Sequence, residues 1–311
     1  MKVGYSMYLH KDKESFSEVI IATAEKFAIP EEQVEKDYYV SHLLDCLVKV
    51  SPEIVFKGGT SLSKCYGIVK RFSEDIDIHY ATNKKPTQSE KKQFKENIIT
   101  AIENAQLEHS NPEGVLSRRD HNNYEVKFPP ITEQTGAIRN HLLVETFIPI
   151  KVFPTEVKKV SSYILKFLEK EDEFDIINEF QLQPFDIKVQ HIDRTFIDKL
   201  FAICDYYEQQ KFDRNSRHLY DLYKIHESNY FNIDNFQALF EQVKAERQSR
   251  PDINISSGTG YNIKKTIGII LETDVYREDY QDITQTLLFE DVSYDSVKTS
   301  LYKLLNKDLI P

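Results

Sequence analysis

Two short blocks of this sequence have residue types and spacing that could do chemistry: the adjacent glycines Gly58-Gly59 followed by Thr60-Ser61, and the aspartates Asp75 and Asp77. In 311 residues with only 9 glycines, an adjacent pair between the apolar run Ile54-Val55-Phe56 and a helical pattern needs a reason. A tight turn at positive φ is one. Phosphate binding is the other: bare backbone N–H groups can approach an anion, a helix beginning near Ser61 turns its positive end toward it, and Ser61 and Ser63 add hydroxyl donors. Asp75 and Asp77 alternate with Ile76 and Ile78, so on a strand their carboxylates share one face. They line either a solvated edge strand or a cation site, and Mg²⁺, which takes oxygen ligands together with substrate phosphates, is the natural occupant. A phosphate cradle followed closely by a metal-holding acid pair is the arrangement for phosphoryl or nucleotidyl transfer.

Further candidates stand alone. Glu145 lies within Leu142-Leu143-Val144-Glu145-Thr146-Phe147, where an acid is costly unless it is paired with a lysine or bound to metal. Lys199 has Phe196 at i−3 and Ile203 at i+4, so its stem runs along apolar surface. Its ammonium either snorkels to solvent or faces a cleft and neutralises phosphate charge. Asp221 follows Arg217 at i,i+4, the spacing of an intrahelical ion pair. His218 has no second histidine at zinc spacing and reads as structural. Gly258-Thr259-Gly260 lacks the strand and third glycine of a dinucleotide site and reads as a loop.

Period and breakers supply the elements that must position these residues. Helical patterns cover residues 14–27 and run from Pro30 to the breaker Ser51-Pro52. A strand is expected over 53–57, helical spacing through Leu62, Cys65, Ile68 and Val69, and a second strand over 75–79. A charged helix over 89–107 and strands over 124–128 and 141–150 complete an α/β half of residues 1–153. Residues 154–311 read as mainly helical, with helices over 157–168, 194–209, 216–226 and 233–247 and one strand over 185–189.

Composition narrows the class. Lys+Arg 40 against Asp+Glu 50 gives a net charge of −10, which opposes broad electrostatic capture of nucleic acid. A local basic site remains open if Lys57, Lys64, Lys70, Arg71, Lys84 and Lys85 gather. Three scattered cysteines, Cys46, Cys65 and Cys204, build no disulfide framework and suit a reducing compartment. Charges at residues 11–14 interrupt any leader-like run, and no apolar stretch approaches a membrane span, so a soluble cytoplasmic protein is expected.

The blocks Gly58-Gly59-Thr60-Ser61-Leu62-Ser63-Lys64, Arg71-Phe72-Ser73-Glu74-Asp75-Ile76-Asp77, Arg194-Thr195-Phe196-Ile197-Asp198-Lys199-Leu200 and Arg217-His218-Leu219-Tyr220-Asp221-Leu222 occur in that order, preceded by Val34-Glu35-Lys36-Asp37-Tyr38. Together they resemble the AbiEii/AbiGii nucleotidyltransferase toxins of the polymerase-β-like superfamily, over roughly residues 30 to 226. Residues 230–311 add nothing to the resemblance. It implies an α+β fold: a polymerase-β-like mixed sheet with flanking helices, then a mainly helical C-terminal half that completes the active-site cleft. It also implies Mg²⁺ dependence, a nucleoside triphosphate donor, and a toxin of a toxin–antitoxin or abortive-infection phage-defence system.

Carried over by position, Gly58, Gly59, Thr60, Ser61, Ser63 and Lys199 fall to the nucleotide, and Asp75 and Asp77 to metal and catalysis. Glu145 is the candidate third carboxylate, again for metal and catalysis, and Lys199 and Asp221 match the family's later lysine and aspartate. Asp198 stands where relatives commonly have Glu. The acceptor implied is a tRNA 3′ end or a protein hydroxyl. A cognate antitoxin is expected, either a bound protein or an enzyme that modifies a hydroxyl such as Ser61 or Ser63. The reading from another class is a non-catalytic nucleotide-binding or partner-binding module that retains the fold, against which the intact Asp75, Asp77 and Lys199 speak.

Overall fold

The computed structural model of the chain describes residues 8–80, 82, 84–135, 138–148, 154–230, 236–307 and 310. Two compact units form, one from Met1–Tyr66 with Ser73–Val189, the other from Gly67–Phe72 with Gln190–Pro311. The expected division after residue 153 falls inside the first unit, because strands on both sides of it belong to one sheet.

That sheet holds, among the described residues, β1 (Ile54–Lys57), β2 (Asp75–Tyr80), β3 (Glu108–His109), β4 (His121–Lys127), β5 (His141–Phe147), β6 (Thr155–Val160) and β7 (Phe185–Gln190), in the order β3-β4-β5-β2-β1-β7-β6. It is mixed: β2 runs antiparallel to β1 and parallel to β5, and β1 runs parallel to β7. In β4 and β5 the residues Asn122, Tyr124, Val126, Leu142, Val144 and Thr146 are buried, and their alternate neighbours are more exposed. The period of two therefore separates a covered face from an open one.

Helices α1 (Lys13–Phe27) and α2 (Glu31–Val50) precede the sheet, α3 (Gly58–Lys64) follows β1, and α4 (Gln88–Asn104) follows β2. Asp12 caps α1 by accepting from the Ser15 amide at 3.2 Å, and a reciprocal Thr87–Glu90 capping box starts α4. α2 packs on α1, α4 and β5, and its Tyr39 stacks on Phe128 with ring centroids 4.5 Å apart.

Two expected helices are corrected. The pattern through Cys65, Ile68 and Val69 does not continue α3, which ends at Lys64; Gly67 at φ +67° takes the chain into a left-handed turn, and an extended segment follows. Residues 157–160 are the end of β6, and the helix α5 (Tyr163–Lys170) begins only after Ser162, whose hydroxyl accepts from the Leu165 amide at 3.0 Å. The short α6 (Phe174–Glu179) leads to β7. The expected strand end at 149–150 and helix start at 233–235 lie outside the described residues.

The second unit is helical. α7 (Ile192–Glu208) packs on α8 (Arg217–His226), α9 (Phe236–Arg247) and α10 (Ile263–Thr273), and a last helix, Tyr294–Leu305, packs on α8 and α10. Phe201 stacks on Phe240 at 5.0 Å between centroids. The segment Gly67–Phe72 joins this unit through main-chain bonds: Phe72 N–H donates to Leu287 O at 2.8 Å and Phe289 N–H to Lys70 O at 2.9 Å. Among the described residues no helix is long and apolar enough to cross a membrane.

In the first unit His10 and His42 lie 5.1 Å apart by ring centroid beside Tyr8, Tyr38 and Tyr39. Burial, reinforced by His42 and Lys11, pushes His10 down to about 3. Burial also lowers His42 to about 4, against its hydrogen bond to Ala105 O. Folding therefore favours neutral imidazoles, so their contribution is whole above the unfolded value near 6.5 and is lost as pH falls toward the folded values. The melting temperature should fall between about pH 7 and about pH 5, and the fall should be shallower in His42→Asn. Melting curves across that range check it; a flat profile in the wild type would exclude this coupling.

Candidate active site

Asp75 and Asp77 start β2 on its open face, with Ile76 and Ile78 fully buried between and after them. Asp77 pairs with Lys57 across β1 and with Glu145 across β5, and Glu145 pairs with Asn123 on β4. Directly paired residues share a face, so Lys57, Asp77, Glu145 and Asn123 form one row, and Asp75 stands two positions away on the same side. Burial first, then the charges of Asp77 and Asp75, pushes the Glu145 carboxyl up to about 7, and Lys57 opposes the shift. Glu145 thus faces the acid pair itself as well as Lys57.

The glycine turn meets this row. Gly58 adopts φ +78°, and a Cβ placed on it would stand 2.0 Å from Asp77 Oδ2. Both reasons for glycine hold at once: the backbone is left-handed, and the carboxylate occupies the space of a side chain. α3 starts at Gly58 itself, so its first turn abuts Asp77.

The neighbouring hydroxyls turn inward. Thr60 Oγ1 donates to Asp75 O at 2.6 Å and lies 2.8 Å from Ser73 Oγ; Ser61 Oγ donates to Gly58 O at 2.8 Å and Ser63 Oγ to Thr60 O at 3.0 Å. Ser61 and Thr60 are buried. The structure therefore gathers Gly58, Asp75, Asp77 and Glu145, while the hydroxyls of Thr60, Ser61 and Ser63 hold the turn together.

Oxygen donors of this kind suit a hard divalent cation, which would relieve the crowding of like charge. Among the described residues, however, no three His, Cys, Asp or Glu side chains already stand as a coordination cluster. Asp75 instead pairs with Arg139, Nη1 to Oδ1 at 2.8 Å.

Charged residues of α2 support the loops around the acids. The buried Lys36 ammonium pairs with Glu74, next to Asp75, and donates to Arg139 O at 2.5 Å. Glu35 accepts from the amides of Ile131 (2.8 Å) and Thr132 (3.2 Å), and Glu32 from that of Thr135 (3.0 Å). Asp37 accepts from Lys64 Nζ at 2.6 Å and from the Tyr163 amide at 2.8 Å. Sequence reasoning assigned none of these roles, since a run of charges on a helix looks like a solvated face.

In the second unit Asp221 is fully buried at the centre of an ion cluster. It accepts from Arg71 Nε and Nη2, both at 2.8 Å, and from Lys199 Nζ at 2.6 Å. Burial would raise its pKa, but Arg71 and then Lys199 hold it well below the usual carboxylate range. Lys199 does not snorkel: burial lowers its pKa, and Asp221 counters. Asp221 is thus held by Arg71 and Lys199 rather than by the Arg217 expected from i,i+4 spacing. His218 lies by this cluster with both ring nitrogens buried and without a hydrogen-bond partner, 5.4 Å from the Tyr206 ring by centroid, as befits a structural neutral imidazole.

The family model described as "Nucleotidyl transferase AbiEii toxin, Type IV TA system" matches residues 42–300. The chain belongs to the AbiEii family. The match contains the glycine turn, the three carboxylates, Lys199 and Asp221, and it extends past residue 226, where the resemblance in the sequence stopped. The α2 residues Glu32, Glu35, Lys36 and Asp37 precede the AbiEii match, so the support of these loops lies outside it. Among curated proteins no match is found. As an AbiEii nucleotidyltransferase toxin of the type IV toxin–antitoxin class, the protein has an antitoxin partner implied by its family.

Gly58→Ala places an L-residue at positive φ and a methyl on Asp77, so it should destabilise by at least ~1–2 kcal/mol and displace that carboxylate. Urea unfolding checks it, and unchanged stability would show that the turn relaxes freely. In the second unit Lys199→Ala leaves Asp221 paired with Arg71, whereas Asp221→Ala leaves two cations buried together. Asp221→Ala should therefore be the more damaging, by roughly 3–5 kcal/mol against wild type. The reverse order in denaturant titrations would contradict the cluster.

Proposed function

We propose that the protein is a Mg²⁺-dependent nucleotidyltransferase that moves a nucleoside monophosphate from a nucleoside triphosphate onto an acceptor hydroxyl, and that this reaction makes it a cytoplasmic toxin. The observation that carries the reading is the row Lys57, Asp77, Glu145 with Gly58 pressed against Asp77, since it joins a turn fit for phosphate to a set of acids fit for a cation. Asp75, Asp77 and Glu145 would hold Mg²⁺, whose chemistry there is to neutralise phosphate charge. The amides at Gly58 and Gly59 receive phosphate oxygens, and Lys57 adds positive charge beside Asp77. The acceptor oxygen attacks the α-phosphorus in line, its bond to the bridging oxygen breaks, pyrophosphate leaves, and Glu145 takes the proton of the acceptor hydroxyl.

Lys199 and Asp221 enter this reading through the family resemblance; by contacts they belong to the ion cluster with Arg71. The acceptor is a tRNA 3′ end or a protein hydroxyl. Of the basic residues that could have drawn RNA, Lys64 is committed to Asp37 and Arg71 to Asp221, which with the net charge of −10 weakens the electrostatic case for RNA. An antitoxin that modifies a hydroxyl would find Ser63 half-buried and Ser61 fully buried.

Incubation of the full chain with each α-labelled nucleoside triphosphate, Mg²⁺ and either total tRNA or a protein lysate should label one fraction. Asp75→Asn or Asp77→Asn should reduce labelling by at least ~10²-fold without loss of fold. Expression of the wild type should slow bacterial growth, and the double mutant at equal soluble level should not. Equal labelling by wild type and mutants would remove the acids from the chemistry.

A further inference from the structure

Arg139 is the cation that Asp75 holds in this structure, and nothing in the family match or the sequence blocks assigns it a role. It precedes β5, the strand that carries Glu145, and its carbonyl is clamped by the buried Lys36, which also pairs with Glu74 beside Asp75. The backbone is therefore fixed at that carbonyl, while the Arg139 side chain remains 43% exposed and the Asp75 side chain 24%. A fixed root with an accessible fork suits a side chain that exchanges partners in place.

From this geometry we infer that Arg139 is a phosphate-binding residue of the candidate site, held on Asp75 until a nucleoside triphosphate and a divalent cation replace that pairing together. The inference rests on the nucleotidyltransferase reading. Asp75 already carries the guanidinium of Arg139 on Oδ1, so in the absence of nucleotide a divalent cation at the acids meets a carboxylate whose charge is partly neutralised, and the two cations compete for Asp75. Triphosphate oxygens offer the freed fork a bidentate partner of higher charge than a single carboxylate. Each ligand thus removes an obstacle to the other, and their affinities are coupled reciprocally.

The test is Mn²⁺ binding to the full chain by titration calorimetry and electron paramagnetic resonance, with and without an α,β-methylene nucleoside triphosphate, for wild type, Arg139→Gln, Arg139→Lys and Asp75→Asn. In wild type the analogue should tighten Mn²⁺ at least ~5-fold. Arg139→Gln should bind Mn²⁺ alone several-fold more tightly than wild type, bind the analogue more weakly, and bring the coupling close to one. Arg139→Lys, which keeps the charge and loses the fork, should fall between. Circular dichroism confirms the fold of each variant. Equal Mn²⁺ affinity and equal coupling in wild type and Arg139→Gln, with binding lost in Asp75→Asn, would overturn the role of Arg139 and leave the acid site standing. Mn²⁺ binding that is absent from wild type and Arg139→Gln alike, or unchanged by Asp75→Asn, would overturn both.

Discussion

Like charge on one sheet face is the constraint around which the first unit is arranged. Two unit charges ~4 Å apart repel by about 1 kcal/mol in water and by about four times that near a protein surface. Asp75, Asp77 and Glu145 are placed by strand pairing, not by attraction, and the surroundings answer their repulsion one by one. Arg139 neutralises Asp75, Lys57 stands beside Asp77, the first turn of α3 abuts the same carboxylate, and Glu145 titrates near neutrality. Each answer belongs to a different chain segment, so the acids determine how β1, α3, β5 and the loop before β5 must meet.

Holding such a loop requires strong, directional contacts, and α2 provides them with buried charges. A carboxylate that receives two backbone amides, as Glu35 does, satisfies groups that no regular element would satisfy in a loop. The same logic, with opposite sign, applies to Lys36 on the carbonyl of Arg139. Buried ion pairs add little net stability over apolar packing, but they restrict geometry, and here they fix backbone next to the acids. In the second unit Arg71, Asp221 and Lys199 do for Gly67–Phe72 what α2 does for the loops.

Much of this is legible in the sequence. Alternation gave β2 and β5 with their acids, the paired glycines marked the turn, and the order of the blocks pointed to the AbiEii family that the match from 42 to 300 shows. What escaped has physical causes. A helical period survives past Lys64 in the residue types, yet Gly67 and main-chain pairing with residues 287–289 decide the conformation there. β6 has too short an apolar pattern to separate it from the helix behind it, and only the capping role of Ser162 divides them. Arg139 carries no local signal: its significance comes from Asp75, distant in sequence and adjacent in space. The hydroxyls of Thr60, Ser61 and Ser63 were visible as donors, but their direction is set by the carbonyls of the turn.

The segment Gly67–Phe72 is bonded by contacts to one unit and by covalent chain, at both ends, to the other. The polypeptide passes between the units after Tyr66, after Phe72 and again after Val189. No single cut can therefore release the second unit whole, and a cut after Val189 leaves the first unit carrying Gly67–Phe72. A chain stopped at Val189 would keep Arg71 but lose Asp221, and would keep Lys70 and Phe72 without the main-chain partners Phe289 and Leu287. Residues 287–289, close to the C-terminus, thereby hold Gly67–Phe72 within its own unit.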